Sequence, residues 1–309
     1  MPKISVLMSA FNADAFISET IESVLKQTYT DFEFVIIDDG STDKTREIIL
    51  NFNDVRIKYF YFENSGLSKS LNRGLQLSTG KYIARIDADD ICYPERLLRQ
   101  FTYMEQNPDC AVCGSFADVI DQMGEYIYTY AAVPTASNEI AKEMYKKNCI
   151  VHSSSFFKRE SALCVGGYYE PIKHYFEDYM FFFKLIKTGS AYNFSEPFIK
   201  YRITPGSISS RTNNRRYNKL VLDVVHRGFI NNDELIFLLN FREQKAKKKI
   251  HLSNHYLALS RLVFIHQLNV IKSWRYIVRA IKENPINLNI LLSIGSMFFG
   301  YLLNKFNSK

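Results

Sequence analysis

The chain has 309 residues, of which 47% are hydrophobic and 23% charged, and this composition excludes an intrinsically disordered protein. Its net charge of +7 is uneven, because residues 211–309 carry 17 Lys and Arg against 5 Asp and Glu, whereas residues 1–210 carry 22 against 27. Five cysteines without regular spacing and a short apolar run at the N-terminus favour a reduced, cytosolic protein over a secreted one.

The N-terminal third alternates between short apolar runs and amphipathic segments. Such alternation, in units of about thirty residues, predicts a doubly wound α/β sheet of parallel strands. Ligands of these sheets bind beyond the carboxyl ends of the strands, so polar residues at those ends are candidate site residues. The predicted strands are 4–9, 32–38, 56–62 and 81–86, and the predicted helices between them are 16–27, 43–52 and 67–78.

Three carboxylates follow the fourth predicted strand, at Asp87, Asp89 and Asp90. Like charges this close disfavour one another's ionised forms, so the cluster needs a cation or hydrogen-bond donors. Carboxylate oxygens suit Mg²⁺ or Mn²⁺, with water and phosphate oxygens completing the coordination shell. The alternative is a solvated acidic turn that caps the helix beginning near Pro94.

A second pair of carboxylates, Glu177 and Asp178, stands at the head of an apolar helical segment. Backbone N–H groups favour a carboxylate there, so the pair is either an N-terminal cap or a general base. His152 is a lone histidine in a predicted strand, and its role is structural, acceptor-contacting or catalytic. The predicted helices in this part are one that ends at 106, one at 137–147 and one at 177–187. The predicted strands are 110–117, 126–130 and 150–157.

The order of short motifs along the chain resembles glycosyltransferase family 2. The motifs are SAFN at 9–12, VIIDDGSTD at 35–43, NSGL at 64–67, YIARIDADD at 82–90 and ED at 177–178. The resemblance implies a GT-A fold, which is Rossmann-like with a mostly parallel central sheet flanked by helices. It covers residues 1–210 as a catalytic domain, with a nucleotide-binding half at 1–107 and an acceptor-binding half at 108–210.

The resemblance also implies a role for each matching residue. Asp178 matches the catalytic base, and Asp87 and Asp89 match a metal site for Mn²⁺ or Mg²⁺, with Asp89 as the direct ligand and Asp87 nearer the ribose. Phe11 departs from the tyrosine that is common in relatives, a change that keeps stacking on a base but loses a hydroxyl. The implied nucleotide-sugar contacts are Ser9, Phe11, Asn12, Asp39, Asn64, Gly66, Lys69 and Asp87. The implied acceptor or phosphate contacts are His152, Glu177 and Arg202.

The C-terminal region, 211–309, is predicted to be basic, amphipathic and α-helical, with helices at 220–229, 235–241, 256–268 and 274–281. Its charge predicts either a solvated face or attraction to anionic lipid head groups. The uncharged stretch 286–304 could span a membrane, lie in its interface, or pack within the protein or a homodimer. No nucleic-acid-binding module accompanies the basic residues.

These observations together predict an inverting hexosyl- or N-acetylhexosaminyltransferase. Its donor would be a nucleotide-diphosphate sugar, expected to be UDP-linked, and its acceptor a glycan or lipid-linked glycan in surface-polysaccharide biosynthesis of the capsule or O-antigen type. We expect a cytoplasmic protein held peripherally at the inner face of the cell membrane. The alternatives are a nucleotidyltransferase, for which the chain lacks a basic glycine loop after the first strand, and a catalytically silent nucleotide-sugar-binding or membrane scaffold protein.

Overall fold

A computed structural model describes residues 2–172, 176–205, 214–247, 252–267, 269–287 and 289–295. The chain divides into two compact units. The first comprises Met1–Ala117, Tyr130–Tyr201 and Arg211–Leu235, and the second comprises Asp118–Thr129, Arg202–Ser210 and Ile236–Lys309. The functional division at 107, 210 and 211 stays a prediction.

The described residues form nine strands in one sheet and eleven α-helices. The strands are β1 (Ile4–Ala10), β2 (Phe32–Asp38), β3 (Ile57–Tyr61), β4 (Tyr82–Asp87), β5 (Ile91–Cys92), β6 (Cys110–Ile120), β7 (Tyr126–Tyr130), β8 (Phe156–Lys158) and β9 (Ser190–Arg202). The helices are α1 (Ile17–Leu25), α2 (Thr45–Leu50), α3 (Leu67–Leu77), α4 (Arg96–Gln106), α5 (Ser137–Glu143), α6 (Arg159–Cys164), α7 (Glu177–Leu185), α8 (Arg215–Arg227), α9 (Asn232–Lys247), α10 (Leu252–Gln267) and α11 (Val270–Glu283).

The sheet order is β3-β2-β1-β4-β8-β6-β9-β5, with β7 paired to β6. The first four strands are parallel, as the alternating pattern predicts. The remainder of the sheet is mixed, because β8 runs antiparallel to both β4 and β6, and β5 runs antiparallel to β9. The predicted GT-A-like fold with a central sheet flanked by helices is confirmed, and the parallel pairing lies in its N-terminal strands.

The parallel half of the sheet is buried on both faces, because all seven residues of its strand β2 are buried. One face packs against the apolar side of α1, formed by Ile17, Ile21 and Val24. The other face packs against α3, where Gly74 allows close approach, because a Cβ on this residue would lie 2.1 Å from Cδ1 of Leu7. These two contacts fix the sheet edge on which the polar strand ends lie.

Of the predicted strand at 150–157, only the last two residues lie in a strand. His152–Ser154 form a 3-10 turn, and β8 begins only at Phe156. Side-chain hydroxyls cause the difference, because Ser154 Oγ donates to the Val151 carbonyl at 3.0 Å and Ser155 Oγ donates to the His152 carbonyl at 2.8 Å. Such local bonds compete with a strand ladder. Helix α6 and strands β5 and β9 were not predicted.

The second unit contains the β6–β7 turn and helices α10 and α11. Asp121, fully buried in that turn, accepts a hydrogen bond from the Tyr276 hydroxyl at 2.8 Å and lies 3.6 Å from Arg279. The polar side of the predicted segment 286–304 turns toward α10, because Asn287 Nδ2 donates to Ser253 Oγ at 2.9 Å and Arg261 donates to Ser293 at 3.1 Å. Residues 296–304 of that segment lie outside the described residues.

Across the described ranges, every helix falls short of the combination of length and apolar character that crossing a membrane requires.

Candidate active site

The polar ends of the parallel strands meet at one edge of the sheet. In the strand register Ala10 lies opposite Asp38, and Ser9 lies opposite Asp87. The backbone N–H of Asp39 also donates to the Ala10 carbonyl at 2.8 Å. The structure therefore brings together the first, second and fourth strand ends, as the sequence predicts.

Asp39 binds the start of α3. Its Oδ1 accepts hydrogen bonds from the Ser65 backbone N–H at 3.0 Å and the Ser65 hydroxyl at 3.1 Å, and its Oδ2 accepts from the Gly66 N–H at 2.9 Å. A carboxylate is stabilised at a helix N-terminus by the free N–H groups there. Asp39 is only 2% exposed, so it organises the loop between β3 and α3. Each carboxylate oxygen accepts two bonds, which leaves Oδ2 capacity for one further donor.

Ser9 lies near the end of β1, and Phe11 and Asn12 lie in the loop that follows it. Asn12 adopts a left-handed backbone with φ of 49°, and its side-chain oxygen accepts from the Thr42 N–H at 2.8 Å. Ser9 Oγ donates to Ser70 Oγ at 2.9 Å, which links the loop to α3. Phe11 is 52% exposed although it is a large apolar residue, so it is accessible to a ligand.

The loop that bears Asn64 and Gly66 lies against the loop that follows β2. Gly40 has φ of +81°, and a Cβ on it would lie 2.7 Å from the Asn64 backbone nitrogen. Gly66 has φ of 91°, a value that a residue with a side chain rarely adopts. Lys69 is exposed in the first turn of α3. A helix N-terminus with a nearby lysine is suited to an anion such as a diphosphate.

Arg85 lies beneath the acidic end of β4. It is fully buried and pairs with Asp87, whose side chain is 31% exposed. The Arg85 Nε and Nη1 atoms are also buried and have no hydrogen bond to another described group. The nearby Asp87 carboxylate raises the pKa of Arg85 despite its burial. A buried cation at this position holds the first carboxylate of the D-x-D pair in place.

The backbone around this acidic turn is held by three further residues. The Asp87 N–H donates to the Ser153 hydroxyl at 3.0 Å. Arg96, also fully buried, donates to the Arg85 carbonyl at 2.6 Å, and Gln100 donates to the Ser154 carbonyl at 2.8 Å. Helix α4 therefore fixes both the strand end and the 3-10 turn beside it.

Asp87 and Asp89 fit a divalent metal that arrives with a phosphate ligand. One carboxylate oxygen of Asp87 forms an ion pair with Arg85, and Asp89 is half-buried. Within the described ranges no three His, Cys, Asp or Glu side chains converge on one possible metal position. Mg²⁺ and similar ions are held in many sites by one or two carboxylates together with substrate phosphates and water, and this pair of residues fits that kind of site.

Glu177 and Asp178 occupy the first turn of α7, as predicted. Asp178 Oδ2 accepts a hydrogen bond from Asn148 Nδ2 at 2.8 Å, and its Oδ1 accepts from the Tyr179 N–H at 2.7 Å. Burial raises the pKa of Asp178, and the charge of nearby Asp87 adds to the effect. Burial, with the adjacent Asp178 charge, raises the pKa of Glu177 to about 8. Both shifts favour the protonated form of the carboxyl pair, which makes each carboxylate a stronger base than a solvated one.

His152 packs behind the carboxyl pair. Its Nε2 lies 2.9 Å from the Tyr168 hydroxyl, and its Nδ1 lies 4.0 Å from Glu177 Oε1. Burial lowers the pKa of His152, with a further contribution from the Arg85 charge, so the ring is neutral at pH 7. The neutral imidazole of His152 therefore lies between the Tyr168 hydroxyl and the Glu177 carboxyl group.

The loop at 166–170 is anchored to α3 by a residue that sequence reasoning did not identify. Asn72 Oδ1 accepts from the Tyr168 N–H at 2.8 Å, and its Nδ2 donates to the Tyr168 carbonyl at 2.8 Å. Arg85, Asn148 and Ser153 were likewise not predicted as part of the site. The one available signal was Arg85, a charged residue within an apolar strand.

Arg202 belongs to the second unit, at the end of β9. It is 3% exposed, and its Nη1 donates to the Asp121 carbonyl at 3.4 Å. Its predicted contact with phosphate or acceptor stays a prediction.

Comparisons with known proteins agree on one family. Residues 5–166 match the family model described as Glycosyl transferase family 2. An uncharacterised glycosyltransferase of Haemophilus influenzae is 30% identical over 300 residues, which cover 88% of this chain and 91% of the relative. The Escherichia coli protein WfgD, described as UDP-Glc:alpha-D-GlcNAc-diphosphoundecaprenol beta-1,3-glucosyltransferase, is 30% identical over 77% of this chain and 91% of its own length.

Among solved structures, residues 1–349 of S. aureus TarS in complex with UDP-GlcNAc superpose with a TM-score of 0.59 at 18% identity. The match covers 84% of this chain and 81% of TarS 1–349, and it establishes similarity of fold. The matched family model ends at residue 166 and so does not include Glu177 and Asp178.

Proposed function

The chain belongs to glycosyltransferase family 2 and has the GT-A fold with C-terminal helices, and from this premise we propose that it transfers a sugar from a UDP-sugar to a hydroxyl of a lipid-linked glycan, with inversion at the anomeric carbon. The observation that carries the proposal is the position of Asp178. This carboxylate lies in the first turn of α7, where Asn148 and the Tyr179 N–H hold it. Burial raises its pKa, with a contribution from the charge of Asp87 at the strand end, where the donor diphosphate is expected. Family membership favours this reaction over nucleotidyl transfer.

The donor would bind across the ends of β1, β2 and β4. Phe11 offers an exposed ring for stacking on uracil, and Asp39 Oδ2 retains capacity to accept from the base or ribose. Ser9 and Asn12 would shape the same pocket through their bonds to Ser70 and Thr42. In this arrangement the diphosphate lies toward the N-terminus of α3, with Lys69 and the loop at Asn64 and Gly66 beside it.

Asp89 would hold Mn²⁺ or Mg²⁺, and Asp87 would contact the ribose and support the same ion. A bound metal of this kind neutralises negative charge that develops on a departing diphosphate. The residues of this chain supply the orientation. Arg85 holds Asp87 from below, and the Ser153 hydroxyl accepts from the Asp87 backbone N–H.

Asp178 would act as the general base. Its two oxygens are oriented by Asn148 and by the Tyr179 N–H, so the carboxylate has a fixed direction. It would remove the proton from the acceptor hydroxyl as that oxygen attacks the anomeric carbon and the bond to the UDP leaving group breaks. A single displacement needs one base and no protein nucleophile, and it inverts the configuration. Glu177 and His152 would line the acceptor side.

The acceptor and sugar classes are proposed from the relative with a described reaction. WfgD is described as using UDP-Glc and a GlcNAc-diphosphoundecaprenol acceptor. A hexosyl or N-acetylhexosaminyl donor and a lipid-linked glycan acceptor in surface-polysaccharide synthesis would follow for this chain by similarity. The basic C-terminal region, with 17 Lys and Arg against 5 Asp and Glu, supports a peripheral position at the cytoplasmic face of the membrane. A homodimer through the C-terminal helices stays a prediction.

The proposal is tested by measuring nucleotide diphosphate release from a panel of UDP-, GDP- and dTDP-sugars, with Mn²⁺ or with EDTA. We expect release from a UDP-sugar that requires the metal and that falls about 100-fold or more in Asp89→Ala. Asp223→Ala is the matched control, because Asp223 is an exposed aspartate on α8. A chain that neither binds nor turns over any nucleotide sugar would refute the donor proposal, and binding without turnover in the presence of lipid-linked acceptors would indicate a silent binder.

A further inference from the structure

Helix α11 of the second unit has one face buried and the other exposed. The buried residues are Ser273, Tyr276, Ile277 and Ala280. The orientation is fixed by hydrogen bonding, because the Tyr276 hydroxyl donates to buried Asp121 at 2.8 Å. The helix therefore cannot rotate to bury its other face without breaking this contact.

The exposed face carries an apolar stripe. Ile271 is 73% exposed, Trp274 47%, Val278 38% and Ile281 37%. Spacings of three and four residues place these four side chains in one row along the helix. We call this row, Ile271, Trp274, Val278 and Ile281, the α11 stripe.

Two cations lie beside the α11 stripe. Arg275 is four residues after Ile271, Lys282 is four residues after Val278, and both are exposed. Glu283 is the one acidic residue of α11. It lies seven residues after Tyr276 and four after Arg279, so it shares a row with those two residues and not with the stripe. The stripe is thus apolar with basic residues along its edge.

We propose that the α11 stripe, with Arg275 and Lys282, is the surface by which this protein docks onto an anionic lipid leaflet. An in-plane helix with aromatic and aliphatic residues on one side and Lys or Arg at its edge matches the chemistry of the head-group and acyl boundary. The inference rests on the proposed function in one respect, since such a surface would bring the site to a lipid-linked acceptor.

Charge decides between a lipid surface and a second copy of the chain. A two-fold interface through the stripe would place Arg275 and Lys282 against the same residues of the other copy. Residues 211–309 carry 17 basic against 5 acidic residues, so two such regions repel, whereas an anionic leaflet attracts them. The proposal also places the lipid contact on α11, apart from the segment 286–304, for which a membrane contact was one of the predicted alternatives.

The chain provides its own reporter, because Trp274 is its one tryptophan. The full-length protein is mixed with phosphatidylcholine vesicles that either contain or lack about one third phosphatidylglycerol, and its emission and cosedimentation are measured. We expect cosedimentation and a blue shift of the emission with the anionic vesicles only. Binding that leaves the emission unchanged, or no binding, would overturn the proposal.

A matched pair of variants tests the residues. Ile271→Ser is expected to weaken binding to anionic vesicles about tenfold. Ile236→Ser changes an exposed isoleucine, 54% exposed on α9, and is expected to bind as the native chain does. Equal binding by the two variants would overturn the assignment to the α11 stripe. Arg275→Gln and Lys282→Gln should each weaken binding about fivefold.

Two further readouts separate the possible failures. The first readout is sedimentation velocity. If the native chain is a dimer that does not bind vesicles, and Ile271→Ser is a monomer, the stripe is an interface between two copies and the proposal is overturned. Turnover of a soluble donor should be the same in Ile271→Ser and the native chain. Vesicle binding by a chain that turns over no donor would leave the docking surface standing and refute the proposed function alone.

Discussion

Replacing Asp39 with asparagine is expected to loosen the loop between β3 and α3. Asp39 accepts two hydrogen bonds from Ser65 on one oxygen and one from Gly66 on the other. An asparagine has only one acceptor oxygen, so in either orientation its NH₂ group faces a backbone N–H that loses its partner. The loss of one charge-assisted bond and the unsatisfied N–H together cost about 2–4 kcal/mol.

The assay is thermal unfolding of the native chain, Asp39→Asn and a control, Asp223→Asn, at the same ionic strength. A loss of this size lowers the Tm by about 5–10 °C in a domain of this size class. Ser65→Ala, which removes only the hydroxyl donor, should cost about 1 kcal/mol. If Asp39→Asn melts within about 1 °C of the native chain, the account of Asp39 as the anchor of α3 is wrong. A large loss of UDP affinity without any loss of stability would likewise assign Asp39 to ligand recognition alone.

Three further substitutions probe the cluster around the base. The pKa of Glu177 is raised to about 8 in the folded state, so the folded chain keeps a proton that the unfolded chain releases. The free energy of unfolding therefore falls as the pH rises toward 8. Glu177→Gln should remove this dependence of the free energy on pH, measured by urea unfolding between pH 6.5 and 8.5. Gly167 has φ of +66°, and Gly167→Ala places a Cβ 2.4 Å from the side-chain oxygen of Asn72, so it should lower the free energy of unfolding by about 2–4 kcal/mol. Gly166→Ala is the control, because its Cβ has open space around it, and it should cost about 1 kcal/mol. Burial raises the pKa of Asp178, and the Arg85 charge partly offsets this rise, so Arg85→Met should move the acidic limb of the pH–rate profile to higher pH. A profile with an unchanged acidic limb would contradict this electrostatic role of Arg85.

The sequence predicted the parallel half of the fold well, because its information is local. Apolar runs such as 4–9 and 32–38 are buried on both faces and need no distant partner to be recognised. The convergence of Ser9, Asp39 and Asp87 follows from strand order and direction alone, since parallel neighbours end at one edge. The general rule for open sheets therefore predicted correctly that these strand ends are neighbours, whereas their role in binding stays a prediction.

The parts that were missed depend on contacts between distant residues. Asp39 is engaged by a loop 26 residues later, and Asn72 holds a loop 96 residues later. Neither pairing has a local signature. Arg85 is a charged residue in an otherwise apolar strand, and its meaning emerges only when the fold places it beneath Asp87. The 3-10 turn at 152–154 was missed because serine hydroxyls satisfied the backbone that a strand would have used.

The measurement that tests the central claim most directly is the comparison of turnover and UDP affinity in a single preparation of Asp178→Asn. The substitution keeps the size of the side chain and removes its basicity. We predict that UDP affinity stays within about twofold of the native value while the rate of sugar transfer falls about 10²- to 10⁴-fold, the range expected for loss of a general base. A variant that binds UDP and transfers sugar at the native rate would contradict the assignment of Asp178, and with it the mechanism proposed for this chain.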